Sequence, residues 1–274
     1  MSRPVLALTD AVATVAAFST AVQLGLLDRI DREPADAPEL ARTCGANERG
    51  VRLLLGVLES SGFVERLPDG RYRPTLTGLA GYHPIIPLWD HLPDAVRTGI
   101  PAGDGQDTTF WGDSVDAVAA ALPPATRVLD VSKSDASWSI AYATRNPDAR
   151  ITADEHARRA VSRAGLADRF DFLPEGRYDL IMVPHVCGLL DEPAELFGKL
   201  APALAPGGVL AVIETLAGGR GSAIRELALY LRTGRGVVHP PECYRRWLAE
   251  TGLSTVDSVE LDGPIAITVI TGRR

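Results

Sequence analysis

The run Arg127–Glu155, RVLDVSKSDASWSIAYATRNPDARITADE, decides how the chain is read. RVLDV is an apolar strand, and the small residues from Ser132 to Ser137 make a tight turn. A helix follows with Trp138, Ile140 and Tyr142 available for packing; it stops at Asn146-Pro147, and RITADE gives a second strand. Strand, turn, helix and strand make one βαβ unit. The turn after the first strand of such a unit opens at the carboxyl end of a parallel sheet, where backbone N–H groups and a helix N-terminus hold ligands. An acid closing the second strand can accept hydrogen bonds from ribose hydroxyls. Glu155, 155 − 130 = 25 positions after Asp130, has the reach for that role.

Downstream, the same alternation continues. A helix is expected over 156–164 and a clipped strand near Phe170-Asp171-Phe172. YDLIMVPHV is a continuous apolar run, the mark of a strand buried on both faces. A helix over 193–204 stops at Pro206-Gly207-Gly208, and the strand VLAVIE ends at Glu214. Helices over 224–231 and 242–250 flank the loop RTGRGVVHPP, and the strands STVDSVEL and IAITVIT close the chain. Strands alternating with helices predict a mostly parallel α/β sheet covered on both faces.

Upstream, residues 1–80 form a separate unit. Helices over 6–18, 20–30, 37–43 and 48–60 precede a hairpin, FVERL and RYRPT, that turns at Pro68-Asp69-Gly70. That order is a winged helix. Its second wing helix carries Val51, Leu53, Leu54, Leu55, Val57 and Leu58, with Arg49 and Arg52 offset by Glu48 and Glu59. Nucleic-acid recognition needs basic and amide side chains on such a helix, so none is expected. The net charge of −7 points the same way and also argues against an anionic membrane surface. Asp10 and Gln23 interrupt the apolar N-terminal runs, so neither a signal peptide nor a membrane span is expected; a homodimer through these helices is. Cys44, Cys187 and Cys243 show no CxxC or Cys/His spacing, which predicts no metal and a reduced, cytoplasmic setting. Residues 81–124 are a Pro- and Gly-dense linker, with residues 125–274 as the α/β domain.

The layout resembles class I S-adenosylmethionine-dependent methyltransferases, whose pattern here is an acid, Gly-x-Gly-x-Gly, a helix, and an acid at the end of the next strand. Asp130 and Glu155 match, but the glycine positions are Ser132, Ser134 and Ala136. The first unit, with LGLLDRI before the wing and TLTGLA after it, resembles the dimerisation domain of small-molecule O-methyltransferases. The resemblance implies a Rossmann-like sheet with an antiparallel C-terminal strand, and S-adenosylmethionine or S-adenosylhomocysteine held by Asp130, Ser132, Ser134, Ala136, Glu155 and Asp171. It also implies a substrate pocket roofed from the linker by His83, Trp89, His91 and Trp111, with His239 reaching in from the loop.

Counted from Asp179, the family's proton-accepting His falls on Gly188, while His185, three residues earlier in PHVCGLLDEP, matches the first His of the similar His-Val-Leu-His-His-Leu-Asp-Asp-Pro run of generic class I enzymes. Glu214 matches the acid that orients the base. Cβ atoms at 132, 134 and 136 are expected to intrude on the cofactor, because glycine both reaches φ > 0 and permits close backbone approach. With the base lost as well, the sequence predicts an O-methyltransferase-like enzyme of aromatic or polyketide-like natural products that has abandoned methyl transfer. It would catalyse cyclisation, a pericyclic step, dehydration or decarboxylation with His185 and Glu214 as the acid/base pair. The alternatives are an active S-adenosylmethionine-dependent O-methyltransferase and a non-catalytic dimeric ligand-binding or scaffold protein.

Overall fold

The computed structural model describes residues 3–76, 78–82, 85–102, 112, 114–132, 136–219, 221–262 and 266–274. Contacts divide the chain into Met1–Pro93 and Asp94–Arg274, so the boundary falls inside the linker.

The first unit opens with α1 (Arg3–Gln23) and α2 (Leu26–Arg32), continues through α3 (Ala37–Thr43) and α4 (Glu48–Ser60), and forms an antiparallel hairpin of β1 (Val64–Arg66) and β2 (Tyr72–Pro74). A short α5 (Ile85–Leu88) follows. The side chain of Asp36 accepts the Glu39 N–H at 2.8 Å and that of Asn47 accepts the Gly50 N–H at 3.0 Å, which fixes where α3 and α4 begin. The break expected near Ser19 is absent. One helix runs to Gln23 and ends before Gly25, which takes φ 70 in the turn to α2. Ala17, Phe18 and Ala21 pack inward with Leu26, Leu27 and Leu55, while Val5, Leu6, Leu8, Val12 and Val15 stay exposed. By length and composition alone, Pro4–Gln23 could cross a bilayer.

The second unit contains α6 (Leu92–Thr98, which begins at the division), α7 (Ser114–Ala121), β3 (Arg127–Asp130), α8 (Ser137–Arg145), β4 (Arg150–Thr152), α9 (Arg158–Arg163) and β5 (Phe170–Asp171). After these come β6 (Tyr178–Pro184), α10 (Pro193–Leu200), β7 (Leu204–Glu214), α11 (Ser222–Thr233), α12 (Pro241–Glu250), β8 (Ser254–Leu261) and β9 (Ile267–Arg273). The sheet order is β5-β4-β3-β6-β7-β9-β8, parallel except that β9 runs antiparallel to both neighbours. Side chains alternate between faces along each strand. Leu180, Met182, Ala211, Ile213 and Val269 therefore pack under α7, α8 and α9, whereas Ile181, Val183, Leu210, Val212 and Ile270 pack under α10 and α12. The site lies at the carboxyl end of the parallel strands, where Asp130 ends β3 and Glu214 ends β7.

Pro206-Gly207-Gly208 does not precede β7; it lies inside it. A register irregularity between Tyr178/Leu204 and Leu180/Val209 absorbs the extra residues as a bulge, while Ala201–Ala203 ends α10 as a 3-10 turn.

Candidate functional site

Asp130 ends β3 and is buried. Its Oδ1 accepts the Ser132 N–H at 2.8 Å and its Oδ2 accepts the Ser139 hydroxyl at 2.6 Å, so the carboxylate ties both ends of the loop. Ala136 sits at the last glycine position of the family pattern with φ 60 and ψ 26, the left-handed conformation that suits glycine. For an L-residue that costs about 1–2 kcal/mol, offset here by packing. Its methyl belongs to the core cluster with Trp138 and Tyr142, only 1% exposed, and does not stand free in the crevice. Ser132 is also buried. The expected intrusion of side-chain carbon is therefore corrected at Ala136: the alanine keeps the glycine backbone and buries its extra carbon. Ser134 lies outside the described residues.

At the end of β4 the sheet-proximal acid is Asp154, half-buried and accepting the His156 N–H at 3.0 Å. Glu155 begins a 3-10 turn, is 75% exposed and pairs with Arg158 at 3.2 Å. The strand ends at Thr152, three residues earlier than the sequence implies, and so turns Glu155 to solvent. Asp171, on edge strand β5, is exposed; its carbonyl accepts the Ala153 N–H at 3.0 Å.

His185 and Glu214 do come together. His185 leaves β6 with φ 52, its N–H donating to the Ile213 carbonyl at 2.9 Å, and its Nδ1 lies 3.3 Å from Glu214 Oε2. The imidazole is 5.4 Å from the Trp138 ring and its side chain 3% exposed. Glu214 Oε1 accepts the Cys187 N–H at 3.0 Å. Burial, with Glu214 adding to it, pushes the Cys187 thiol well above its ordinary value; burial also raises the Tyr244 phenol.

Gly188 is closed in by the loop after α11. Val237 donates to the Gly188 carbonyl at 3.2 Å, and a Cβ at 188 would lie 2.7 Å from the Val237 oxygen. Gly236 makes this approach possible: at φ 108, a Cβ there would meet Leu229 Cβ at 2.3 Å. His239 follows on the same loop, half-buried, with its ring 5.0 Å from Trp247 and 6.1 Å from Tyr244, both edge-on. The sequence has it reaching into the substrate pocket from this loop, and in the structure its ring packs inward against Trp247 and Tyr244. Arg232 is buried, while Arg235 is exposed and pairs with Asp191.

In the first unit, the 3-10 turn Trp89–His91 leaves Trp89 half-buried and His91 exposed, whereas His83 and Trp111 lie outside the described residues. Sequence reasoning gave Trp138 only a packing role and placed neither Cys187 nor Tyr244 in the site. Adjacency to His185 and Gly188 marks Cys187; nothing local in the sequence marks Tyr244. Surface depressions of about 370 Å³ around Arg274 and 220 Å³ around Asp257 touch none of these residues. Among the described residues no group of three His, Cys, Asp or Glu could hold a metal ion.

A seven-stranded sheet with an antiparallel last pair, a left-handed Ala136 at the last glycine position after its first strand, and an apolar helical unit ahead of it narrow the family. Family models match as an O-methyltransferase dimerisation domain over residues 6–80 and a methyltransferase domain over residues 104–258. The chain belongs to the O-methyltransferase family. Among its relatives, a 3-hydroxy-5-methyl-1-naphthoate 3-O-methyltransferase of Streptomyces sahachiroi is 24% identical over 93% of this chain and 90% of its own. The tetracenomycin polyketide synthesis 8-O-methyl transferase of Streptomyces glaucescens is 25% identical over 97% and 95%. Human N-acetylserotonin methyltransferase, solved with S-adenosylmethionine, has 19% identity, covers 100% of this chain and 98% of its own, and superposes with a TM-score of 0.73. The first alignment runs to 315 positions against 274 residues, so at least 315 − 274 = 41 positions fall opposite gaps in this family member. Its dimerisation domain accounts for the exposed apolar face of α1 and supports a homodimer.

Proposed function

We propose that this chain transfers a methyl group from S-adenosylmethionine to a hydroxyl of a small aromatic natural-product intermediate, in the cytoplasm. One observation carries the reading: Ala136 holds the glycine conformation at the start of α8 with its methyl in the core, and Asp130 is hydrogen-bonded to Ser132 and Ser139 on either side of it. The residues fit the cofactor. The backbone at Ser132 and Ala136 would hold its amino-acid end, and Asp154, the half-buried acid after β4, would take the ribose hydroxyls in place of Glu155. When bound, the cofactor supplies an electrophilic methyl group. The protein's share is to align the acceptor oxygen, exclude water and receive the hydroxyl proton. Relatives named for naphthoate and tetracenomycin substrates support an aromatic acceptor. Titration calorimetry with S-adenosylhomocysteine, then methylation of 3-hydroxy-5-methyl-1-naphthoate read by mass, tests this; binding and a gain of one methyl are expected. No heat of binding would defeat it.

Gly188 favours a second reading. The position where the resemblance puts the base has no room for a side chain, which suits a catalyst of cyclisation, pericyclic, dehydration or decarboxylation chemistry working through His185 and Glu214. A product of unchanged or reduced mass, formed without S-adenosylmethionine, would select it.

A further inference from the structure

We infer that His239 is the proton acceptor of this site, a base relocated from position 188 to the loop that seals Gly188, with Glu214 as its charge partner. This rests on the methyl-transfer reading above. The geometry is continuous. Val237 is hydrogen-bonded to the Gly188 carbonyl, its oxygen fills the space a side chain at 188 would need, and His239 stands two residues further on. The His239 carbonyl accepts the Ala217 N–H at 3.1 Å, which pins the loop to the segment that follows Glu214 at the end of β7. Trp247 and Tyr244 hold the ring edge-on, which limits its rotation.

The ring's Nε2 is enclosed and has no hydrogen-bond partner among the described residues, and the Thr215 hydroxyl, next to Glu214, is likewise buried without one. A buried polar atom left without a partner is costly unless a ligand completes it. An acceptor hydroxyl has the complementary chemistry for His239, a donor to the unprotonated nitrogen.

Charges around the ring suit a base. Glu214, the Cys187 backbone carbonyl and Glu226, whose carboxylate faces the Val238 N–H at 3.5 Å, all favour its protonated form. Burial outweighs them and holds His239 below the ordinary histidine value, so it is neutral at pH 7 and free to take a proton. Tyr244 and Cys187 stay protonated, because burial raises both. His185 is set apart by its enclosure under Trp138 and its own contact with Glu214. In the step, the acceptor O–H bond breaks and its proton passes to the imidazole. The oxygen keeps the electron pair of that bond, and the negative charge of Glu214, which favours the protonated ring, stabilises the imidazolium until water removes the proton.

The test is a histidine NMR titration of the whole chain, with His239 assigned by His239→Gln and, as a second variant, His239→Asn. The wild-type resonance should titrate below about 6.5. In Glu214→Gln it should move lower still, because a negative charge that favours the imidazolium is gone. Independence from Glu214 would overturn the pairing. His239→Gln should bind S-adenosylhomocysteine like the wild type while losing about 10²–10⁴-fold in kcat and the acid limb of its pH profile. Binding with methylation undiminished in His239→Gln would refute the relocated base and leave the methyl-transfer reading intact. Absence of cofactor binding in the wild type would remove both.

Discussion

Placing an alanine at Gly188 measures how tightly the vacated base position is sealed. The added Cβ would lie 2.7 Å from the Val237 carbonyl oxygen and 3.4 Å from Leu229 Cδ1. The first contact is with backbone and cannot be relieved by a rotamer change. Forcing it apart costs about 1–3 kcal/mol in overpacking, and losing the Val237-to-Gly188 hydrogen bond adds about 1 kcal/mol. The total of about 2–4 kcal/mol corresponds to a Tm roughly 4–16 °C lower for a domain of this size. Gly198→Ala, on the exposed face of α10 with nothing within 4 Å of its Cβ, is the control and should gain about 0.5–1 kcal/mol. Thermal and urea unfolding of the two variants side by side give the comparison. Were Gly188→Ala as stable as the parent, or Gly188→His well folded, the loop would not seal this position and the relocated base would lose its premise.

Asp130→Ala should destabilise by about 1–3 kcal/mol, because it strands the Ser132 N–H in the core and leaves the Ser139 hydroxyl only the Ala136 carbonyl at 3.2 Å, and should abolish the heat of S-adenosylhomocysteine binding in calorimetry. Tyr142 donates to the Pro123 carbonyl at 2.8 Å, and burial pushes its phenol up to about 12. The unfolded chain therefore ionises first, and stability present below pH 10 falls between pH 10 and 12. Tyr142→Phe should flatten part of that alkaline decline in urea titrations, leaving the share that belongs to Tyr244. Leu8→Glu together with Val12→Glu puts charge on the exposed apolar face of α1 and should turn a dimer into a monomer in sedimentation velocity, with the far-UV spectrum unchanged.

Local chemistry made much of this fold readable. Asp36 and Asn47 cap α3 and α4 where the sequence places those helices, and the apolar run YDLIMVP is buried on both faces as its composition demands. Errors came where tertiary context overrides local signals. Pro206-Gly207-Gly208 looks like a stop, but strand pairing with β6 absorbs it as a bulge. Ser19-Thr20 looks like a break, yet inward packing by Phe18 and Ala21 carries α1 through it. In the site, Asp130 follows from the strand and turn alone, whereas the choice of Asp154 over Glu155 depends on β4 ending at Thr152. The sequence brought His239 to the pocket but not its inward packing, because its contacts come from residues up to 52 positions earlier, Cys187 among them, and no local pattern encodes that approach.

The central claim is that the loop after β3 still accepts the cofactor because Ala136 has taken on glycine's backbone. Calorimetric titration of the purified dimer with S-adenosylhomocysteine tests it most directly. One saturable site per chain, lost in Asp130→Ala and in Asp154→Ala but retained in Glu155→Ala, is the predicted result. A flat titration, or binding that depends on Glu155 and ignores Asp154, would contradict it.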